Sequence, residues 1–167
     1  MFRTSMGHPI PVPSRIGSFV ADDDATVSLP IGNDSVPVTI TSMGNPHCST
    51  FWPDVAVAPI DRLGPVIEHH PWFANRTNVE FIQVLDRHRL RVRFWERGVG
   101  VTLASGTGSS AAAVAAALNG FVESPITVET ELGSLLVEWS PGMELFLTGP
   151  AEFICRGEYS VVTDETA

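Results

Sequence analysis

A run of small residues over 106–120 constrains the fold of this chain more than any other feature. Six of the seven residues from 111 to 117 are alanine, so a helix here has no polar face. A helix that is apolar all round is buried all round. We therefore predict a core helix over 108–118 that is closely wrapped by sheet. Asn119 and Gly120 are expected to end it with a left-handed C-cap.

Most of the remaining sequence is typical of short strands separated by turn residues. Alternating or β-branched runs cover 25–29, 36–42, 79–85, 90–96, 126–131, 135–139, 143–148 and 152–161. An amphipathic pattern predicts a peripheral helix over 59–69. The expected fold class is α+β, with a strongly curved, mostly antiparallel, barrel-like sheet around the alanine-rich helix.

Length and composition favour one soluble domain over residues 1–167. The chain has 167 residues and is 44% hydrophobic, which is enough for a single sizeable core. No apolar run reaches the roughly 18 residues that a membrane span needs, and the start lacks the plan of a signal peptide. The two cysteines, Cys48 and Cys155, lie far apart, as expected of free thiols. We expect a cytoplasmic protein with no membrane partner.

The charged residues exclude several kinds of chemistry. The formal net charge is -9 and every basic residue is arginine. Without lysine there is no Schiff base for pyridoxal phosphate and no P-loop lysine. An acidic surface also disfavours nucleic acid as a partner. Alternate arginines over 87–93 indicate a solvated strand face rather than a basic patch.

The glycine-rich start of the alanine helix is typical of an anion-binding site. Main-chain amides in a first helical turn have no helical acceptor, and glycines let the backbone approach a ligand. The helix dipole adds roughly 0.3 to 1 kcal/mol for an exposed anion, and up to about 2 when the site is partly buried. We expect the amides of 106–108 to face a carboxylate or phosphate, with Ser105 beside it. The same residues also fit a dinucleotide-binding fingerprint, although the strands after Gly120 argue against a Rossmann unit.

Four motifs in order resemble the C-terminal half of diaminopimelate epimerase, a cofactor-independent isomerase. They are SMGNPH (42–47), NRTNVEF (75–81), WERGVG (95–100) and SGTG (105–108). The resemblance implies two similar halves, each a curved sheet around a central helix, with an amino-acid substrate between them. It also implies one cysteine from each half, one removing the α-proton and the other returning a proton to the opposite face.

The resemblance also implies roles for individual residues and no cofactor. Substrate binding falls to Asn45, Asn78, Glu96 and Arg97, while Gly106 and Thr107 hold the α-carboxylate. His47 and Glu96 shape the electrostatics of the site. Ser105 stands where the family carries its second cysteine, so the catalytic candidates are Ser105, Glu96 and His47. An alcohol is a much weaker acid than a thiol and cannot be a resting base, but it can still donate or relay a proton.

Nothing in the chain matches the N-terminal half of that family. The segments 1–10 and 152–161 are therefore expected to belong to, or pair with, a missing half, with each other, or with a second copy in a homodimer. A catalytically inactive amino-acid-binding module remains an alternative, as do a one-base hydroxyproline-type epimerase or dehydratase and a dinucleotide-binding domain. Adjacent His69 and His70 point apart, so no metal site is predicted. A catalytic role for Cys48 is disfavoured because free cysteines are usually buried hydrophobes.

Overall fold

A computed structural model describes residues 1–11 and 26–159. Within these ranges the chain forms ten strands, two α-helices and a short 3-10 helix at Val55–Val57. The strands are β1 (Phe2–Gly7), β2 (Thr26–Ile31), β3 (Asp34–Ser42), β4 (Pro46–Phe51), β5 (Asn78–Asp86), β6 (Arg89–Glu96), β7 (Gly100–Thr102), β8 (Ile126–Thr130), β9 (Gly133–Glu138) and β10 (Leu145–Gly149). The helices are α1 (Ile60–Glu68) and α2 (Gly106–Leu118). Neither helix of the described ranges is long and apolar enough to cross a membrane.

All ten strands join one sheet in the order β1-β10-β9-β8-β6-β5-β4-β3-β2, with β7 beside β6. The pairs β4–β5 and β6–β8 are parallel, and the other pairs are antiparallel. The sheet is open, with β1 and β2 as its two ends, so it does not close into a barrel. The fold is therefore α+β with a mostly antiparallel sheet.

The alanine-rich helix α2 lies in the larger of two apolar clusters. Residues 108–116 are buried, and the helix packs on β3, β4, β5, β6, β8, β9 and β10. Phe94 and Leu145 are among the large side chains of this cluster. At the C-terminal end Gly120 has a φ of 70°, and the Phe121 amide donates to the Ala116 carbonyl. This left-handed residue ends the helix.

Helix α1 lies over the second apolar cluster. Its buried residues Ile60, Leu63 and Ile67 share that cluster with Val79 and Phe81 of β5. Because successive side chains of a strand alternate between faces, Asn78 and Glu80 point the other way, toward the α2 side. The sheet thus separates an α1 core from an α2 core.

The structure differs from the sequence-based expectation in several elements. Residues 152–159 form no strand and are exposed, whereas a strand was predicted over 152–161; positions 160 and 161 lie outside the described residues, as does position 25 of the first predicted strand. Both edges of β10 are already occupied, by β9 and β1, so the segment after it has no neighbour there. Strand β4 was not predicted because its sequence is short, polar and begins with a proline. Helix α2 begins two residues earlier than predicted.

Candidate functional site

Ser105 is the N-cap of α2 and shapes the helix start. Its backbone is extended, and its hydroxyl oxygen accepts a hydrogen bond from the Gly108 amide at 3.2 Å. The Gly108 amide is therefore not available to an anion, contrary to the expectation for 106–108. The amides of Gly106 and Thr107 have no protein acceptor within residues 1–11 and 26–159. Two main-chain donors are thus free to bind an anion at this helix terminus.

Glu96, the last residue of β6, lies beside that helix start. One carboxylate oxygen accepts a hydrogen bond from the Thr102 hydroxyl at 2.6 Å, and the other accepts from the Ser105 hydroxyl at 3.4 Å. The single hydroxyl proton of Ser105 is therefore directed at Glu96. The structure brings together two of the three predicted catalytic residues, next to the two free amides.

The third, His47, is fully buried and does not face solvent. Its Nδ1 lies 2.6 Å from Glu80 Oε1, and its Nε2 lies 3.0 Å from Asn45 Oδ1. His47 can therefore act on a ligand only through Asn45. Cys48, the next residue, points into the α1 core, where burial and then the nearby Glu80 charge raise the pKa of its thiol well above the usual value. Such a thiol is not a base.

Asn78 and Arg97 are held by the protein itself. The Asn78 amide donates to the Pro46 carbonyl at 3.0 Å and accepts from the Arg97 main-chain amide at 2.9 Å. The Arg97 guanidinium donates to the Asn75 carbonyl at 2.9 Å. Asn78 thus links the start of β4 to the turn after β6, and it holds the main chain of Arg97.

A polar cavity of about 220 Å³ lies between these two segments. Asn45, Arg97, Arg76 and Asn75 supply its polar side chains, and the described residues that line it include no acidic side chain. Ser105, Glu96, Gly106 and Thr107 are not among the lining residues, so the chain presents two separate polar regions. A larger, apolar cavity of about 440 Å³ is lined by Phe51, Trp52, Pro53, Val84 and Phe121 and shares no residue with either region.

Glu68 supports this cavity and was not singled out from the sequence. Its side chain is 4% exposed, and its carboxylate accepts hydrogen bonds from Trp95 Nε1 at 2.7 Å, the Gly98 amide at 2.8 Å and Arg76 at 3.1 Å. Burial alone would raise the pKa of Glu68. The hydrogen bonds from Trp95 and Gly98 and the nearby charges of His69 and Arg76 outweigh burial, so the pKa of Glu68 lies below its usual value. The sequence did carry a signal for a buried role of Glu68. It is an acidic residue on the apolar face of an amphipathic helix, eight positions after Ile60.

Arg76 adopts a left-handed backbone with a φ of 60°, which is uncommon for a residue other than glycine. The bond from its guanidinium to Glu68 holds its side chain at the cavity. His69 and His70, by contrast, face different partners, the carbonyls of Pro65 and Pro30. They do not converge on one point.

Comparison with known proteins gives one consistent family. The family model described as diaminopimelate epimerase matches residues 39–154. A protein named diaminopimelate epimerase from Moorella thermoacetica is 47% identical over 164 residues, covering 94% of this chain and 57% of the relative. A protein of the same name from Pseudomonas entomophila is 47% identical over 156 residues, covering 92% of this chain and 56% of the relative. The chain thus spans little more than half the length of these curated relatives.

One solved structure supports the same fold. A hydroxyproline epimerase from Agrobacterium vitis, with bound trans-4-OH-L-proline, superposes with a TM-score of 0.53 at 14% identity. The match covers 87% of this chain and 47% of that chain. At this level of identity the similarity concerns the fold alone.

Proposed function

Because this chain belongs to the diaminopimelate epimerase family, we propose that it forms the C-terminal half of a cofactor-independent isomerase that acts on an amino acid of the diaminopimelate type. Inversion of LL- to meso-diaminopimelate, a step of lysine biosynthesis, is the reaction that the family suggests. One observation carries the proposal: the main-chain amides of Gly106 and Thr107, which have no acceptor among the described residues, lie beside the Ser105–Glu96 pair at the start of a buried helix. A sheet curved strongly around α2 is part of this proposal.

The free amides suit the charge that develops during stereoinversion. Removing the proton from an amino-acid α-carbon places negative charge on the adjacent carboxylate. Preorganised donors at a helix start stabilise such charge without any cofactor. We therefore place the substrate α-carboxylate at Gly106 and Thr107. The cavity with Asn45 and Arg97 would then take the other polar end of the substrate, and Asn78 would hold Arg97 in position.

A hydroxyl at position 105 limits the proton transfer that this chain can perform. The Ser105 hydroxyl donates to Glu96, and its proton can be passed on only if an alkoxide forms or if another proton replaces it. An alkoxide is unfavourable at neutral pH because alcohols are very weak acids. We expect the abstracting base to come from a missing N-terminal half and the reaction to be much slower with Ser105 than with a thiol at this position.

An inactive amino-acid-binding module is the second candidate. The observation that favours it is the N-cap role of Ser105, whose hydroxyl accepts from Gly108 as serine does in many structural helix starts. In that case the amides and the cavity bind an amino acid and no proton moves.

Proton exchange separates the two candidates. The full chain, alone and mixed with the N-terminal half of the Moorella thermoacetica relative, is incubated with LL-diaminopimelate in heavy water, and loss of the α-proton signal is followed by NMR. We expect no exchange by the chain alone, slow exchange by the mixture, and exchange at least about 100-fold faster with Ser105→Cys. Ser140→Cys, at an exposed turn, is the matched control and leaves the rate unchanged.

Two results count against the proposed isomerase. Binding of diaminopimelate without any exchange, in the mixture with Ser105→Cys, identifies a binding module. If calorimetry detects no binding by the mixture, the amino-acid site itself is wrong.

A further inference from the structure

Glu68 holds the residues on both sides of the Glu96–Arg97 pair. Its carboxylate accepts hydrogen bonds from Trp95 Nε1 at 2.7 Å and from the Gly98 amide at 2.8 Å. Trp95 precedes the pair in the chain, and Gly98 follows it. Glu68 itself is the last residue of α1, is buried, and is not among the described residues that line the polar cavity. One carboxylate of α1 therefore constrains the turn that carries two of the predicted substrate-binding residues.

The Trp95 indole is held on α1 by close packing as well as by this hydrogen bond. A Cβ atom at Gly64 would lie 2.6 Å from the indole, so a side chain at this position would displace the ring. Gly64 and Glu68 are four positions apart and therefore lie on the same face of the helix. The ring packs on the first of them and donates to the second. Helix α1 thus fixes the side chain immediately before Glu96.

Glu68 also holds the opposite wall of the polar cavity. The Arg76 guanidinium, which lines the cavity, donates to Glu68 Oε1 at 3.1 Å. The same oxygen accepts from the Gly98 amide. The residue before Arg76, Asn75, accepts from the Arg97 guanidinium through its carbonyl at 2.9 Å. Both ends of the contact between Arg97 and Asn75 are therefore next to a residue that is bound to this carboxylate oxygen.

We propose that Glu68 is a positioning residue that sets the separation between the 75–76 segment and the 96–98 turn. This separation directs Arg97 toward the substrate and Glu96 toward the start of α2. The inference rests on the proposed function, because Glu96 and Arg97 have a shared task only if one amino acid meets both. It assigns to α1, which supplies no group to either polar region, the role of keeping the two regions in register.

A neutral amide at position 68 cannot replace the carboxylate. The two oxygens of Glu68 together accept from Trp95, Gly98 and Arg76. Glutamine has a similar shape but only one acceptor oxygen, and its NH2 group is a donor. At least one of the three donors would then face another donor, and the part of the site that it holds would be released.

The orientation of the turn is tested first, on the full chain without any ligand. The Arg97 amide donates to Asn78 rather than to Glu68, so its orientation reports the turn and not the altered side chain. Residual dipolar couplings measured by NMR should change for the Arg97 amide in Glu68→Gln, while the amides of α2 retain theirs. Asp61→Asn, at an exposed position of α1, makes the same change of charge and should leave all these couplings unchanged. An Arg97 coupling in Glu68→Gln equal to that of the wild type overturns the inference.

Proton exchange tests the consequence for the reaction. The chain with Ser105→Cys is mixed with the N-terminal half of the Moorella thermoacetica relative, at a temperature at which every variant is fully folded by circular dichroism. Adding Glu68→Gln should raise the KM for LL-diaminopimelate at least about tenfold, and adding Asp61→Asn should not. A merely structural role would lower kcat with the folded fraction and leave KM unchanged. An unchanged KM in Glu68→Gln overturns the inference.

A second variant keeps the test decisive if Glu68→Gln does not fold. Trp95→Phe keeps an aromatic ring on Gly64 but removes the Nε1 donor to Glu68, and it should also change the coupling of the Arg97 amide. An unchanged coupling in Trp95→Phe contradicts the link from α1 to the turn. If the mixture shows no exchange even with Ser105→Cys, the proposed function fails, while the Arg97 coupling still decides whether Glu68 positions the turn.

Discussion

Individual side chains of the candidate site are held mainly by other protein groups. Ser105 caps α2, Asn78 links two segments, and His47 lies between Glu80 and Asn45. Glu68 has the largest number of charged and polar partners near the cavity. Its lowered pKa makes it the clearest source of pH-dependent stability among these residues.

Glu68→Gln should lower the free energy of unfolding by about 2 kcal/mol at pH 7, because hydrogen bonds to a buried charge are lost. The folded pKa is below the unfolded value of about 4.3, so the contribution is fully present above that pH and is lost as pH falls through the folded pKa. Denaturant unfolding at a series of pH values checks this. Glu131→Gln, which removes the exposed partner of Arg93, is the control and should cost less than about 1 kcal/mol. A Glu68 effect that is constant down to pH 2 would contradict the prediction.

The two cysteines should differ strongly in reactivity. Cys48 is fully buried with a raised thiol pKa, whereas Cys155 is exposed. A thiol reagent such as Ellman's reagent should label one cysteine quickly in the native chain and the second only after unfolding, because the thiolate is the reactive form. Cys155→Ser is the control and should abolish the fast phase. Two fast thiols would show that Cys48 is accessible.

The residues of the site were predictable only where a motif carried them. Asn45, Arg97 and Ser105 follow from short sequence motifs, and the structure brings Ser105 to Glu96. Their roles remain predictions. Glu80 and Glu68 were not singled out, although Glu80 lies in the motif over 75–81. Their partners His47 and Trp95 lie 33 and 27 positions away and meet them only after the sheet has formed.

At the scale of helices and strands, hydrophobic pattern predicted most of the structure. The two helices and seven of the strands lie where periodicity and alanine content placed them, with ends shifted by a few residues. Strand β4 was not predicted because three of its six residues are polar yet buried, namely His47, Ser49 and Thr50. The pattern of a buried polar strand does not differ from that of a loop, so its identity depends on tertiary contacts.

Close packing of α2 against Phe94 leaves little room for a side chain at Gly108. A Cβ atom at Gly108 would lie 2.8 Å from the Phe94 ring, whereas one at Gly106 would lie 3.5 Å from Leu147, an ordinary contact. Gly108→Ala should therefore lower the free energy of unfolding by about 1 to 3 kcal/mol relative to Gly106→Ala. Thermal or denaturant unfolding of both variants measures the difference. Equal stability would mean that Phe94 moves aside without cost.

At the scale of the whole molecule, one open sheet carries an apolar core on each face. Helix α2 is buried on one face and α1 covers the other. The first strand, β1, lies at the edge of the sheet and its side chains are largely exposed. The stability of the chain should therefore be uneven, with the edge less protected than the centre.

Amide hydrogen exchange should reveal this difference. Residues 111–116 of α2 should exchange only through global unfolding, while the amides of β1 exchange through local opening at lower free energy. Exchange followed by NMR or mass spectrometry at several denaturant concentrations distinguishes the two. Strand β5, at the centre of the sheet, is the internal reference and should behave like α2. The same opening free energy for β1 and α2 would contradict the prediction.

The pairing of Phe2 with Gly149 has a consequence for biosynthesis. A ribosome synthesises Phe2 long before its neighbour in the sheet, because Gly149 follows almost 150 residues later in the chain. The nascent polypeptide must carry an unpaired β1 segment until translation has passed β10. Closure of this edge therefore has to follow the synthesis of β10, whereas the hairpin between β5 and β6 can form earlier.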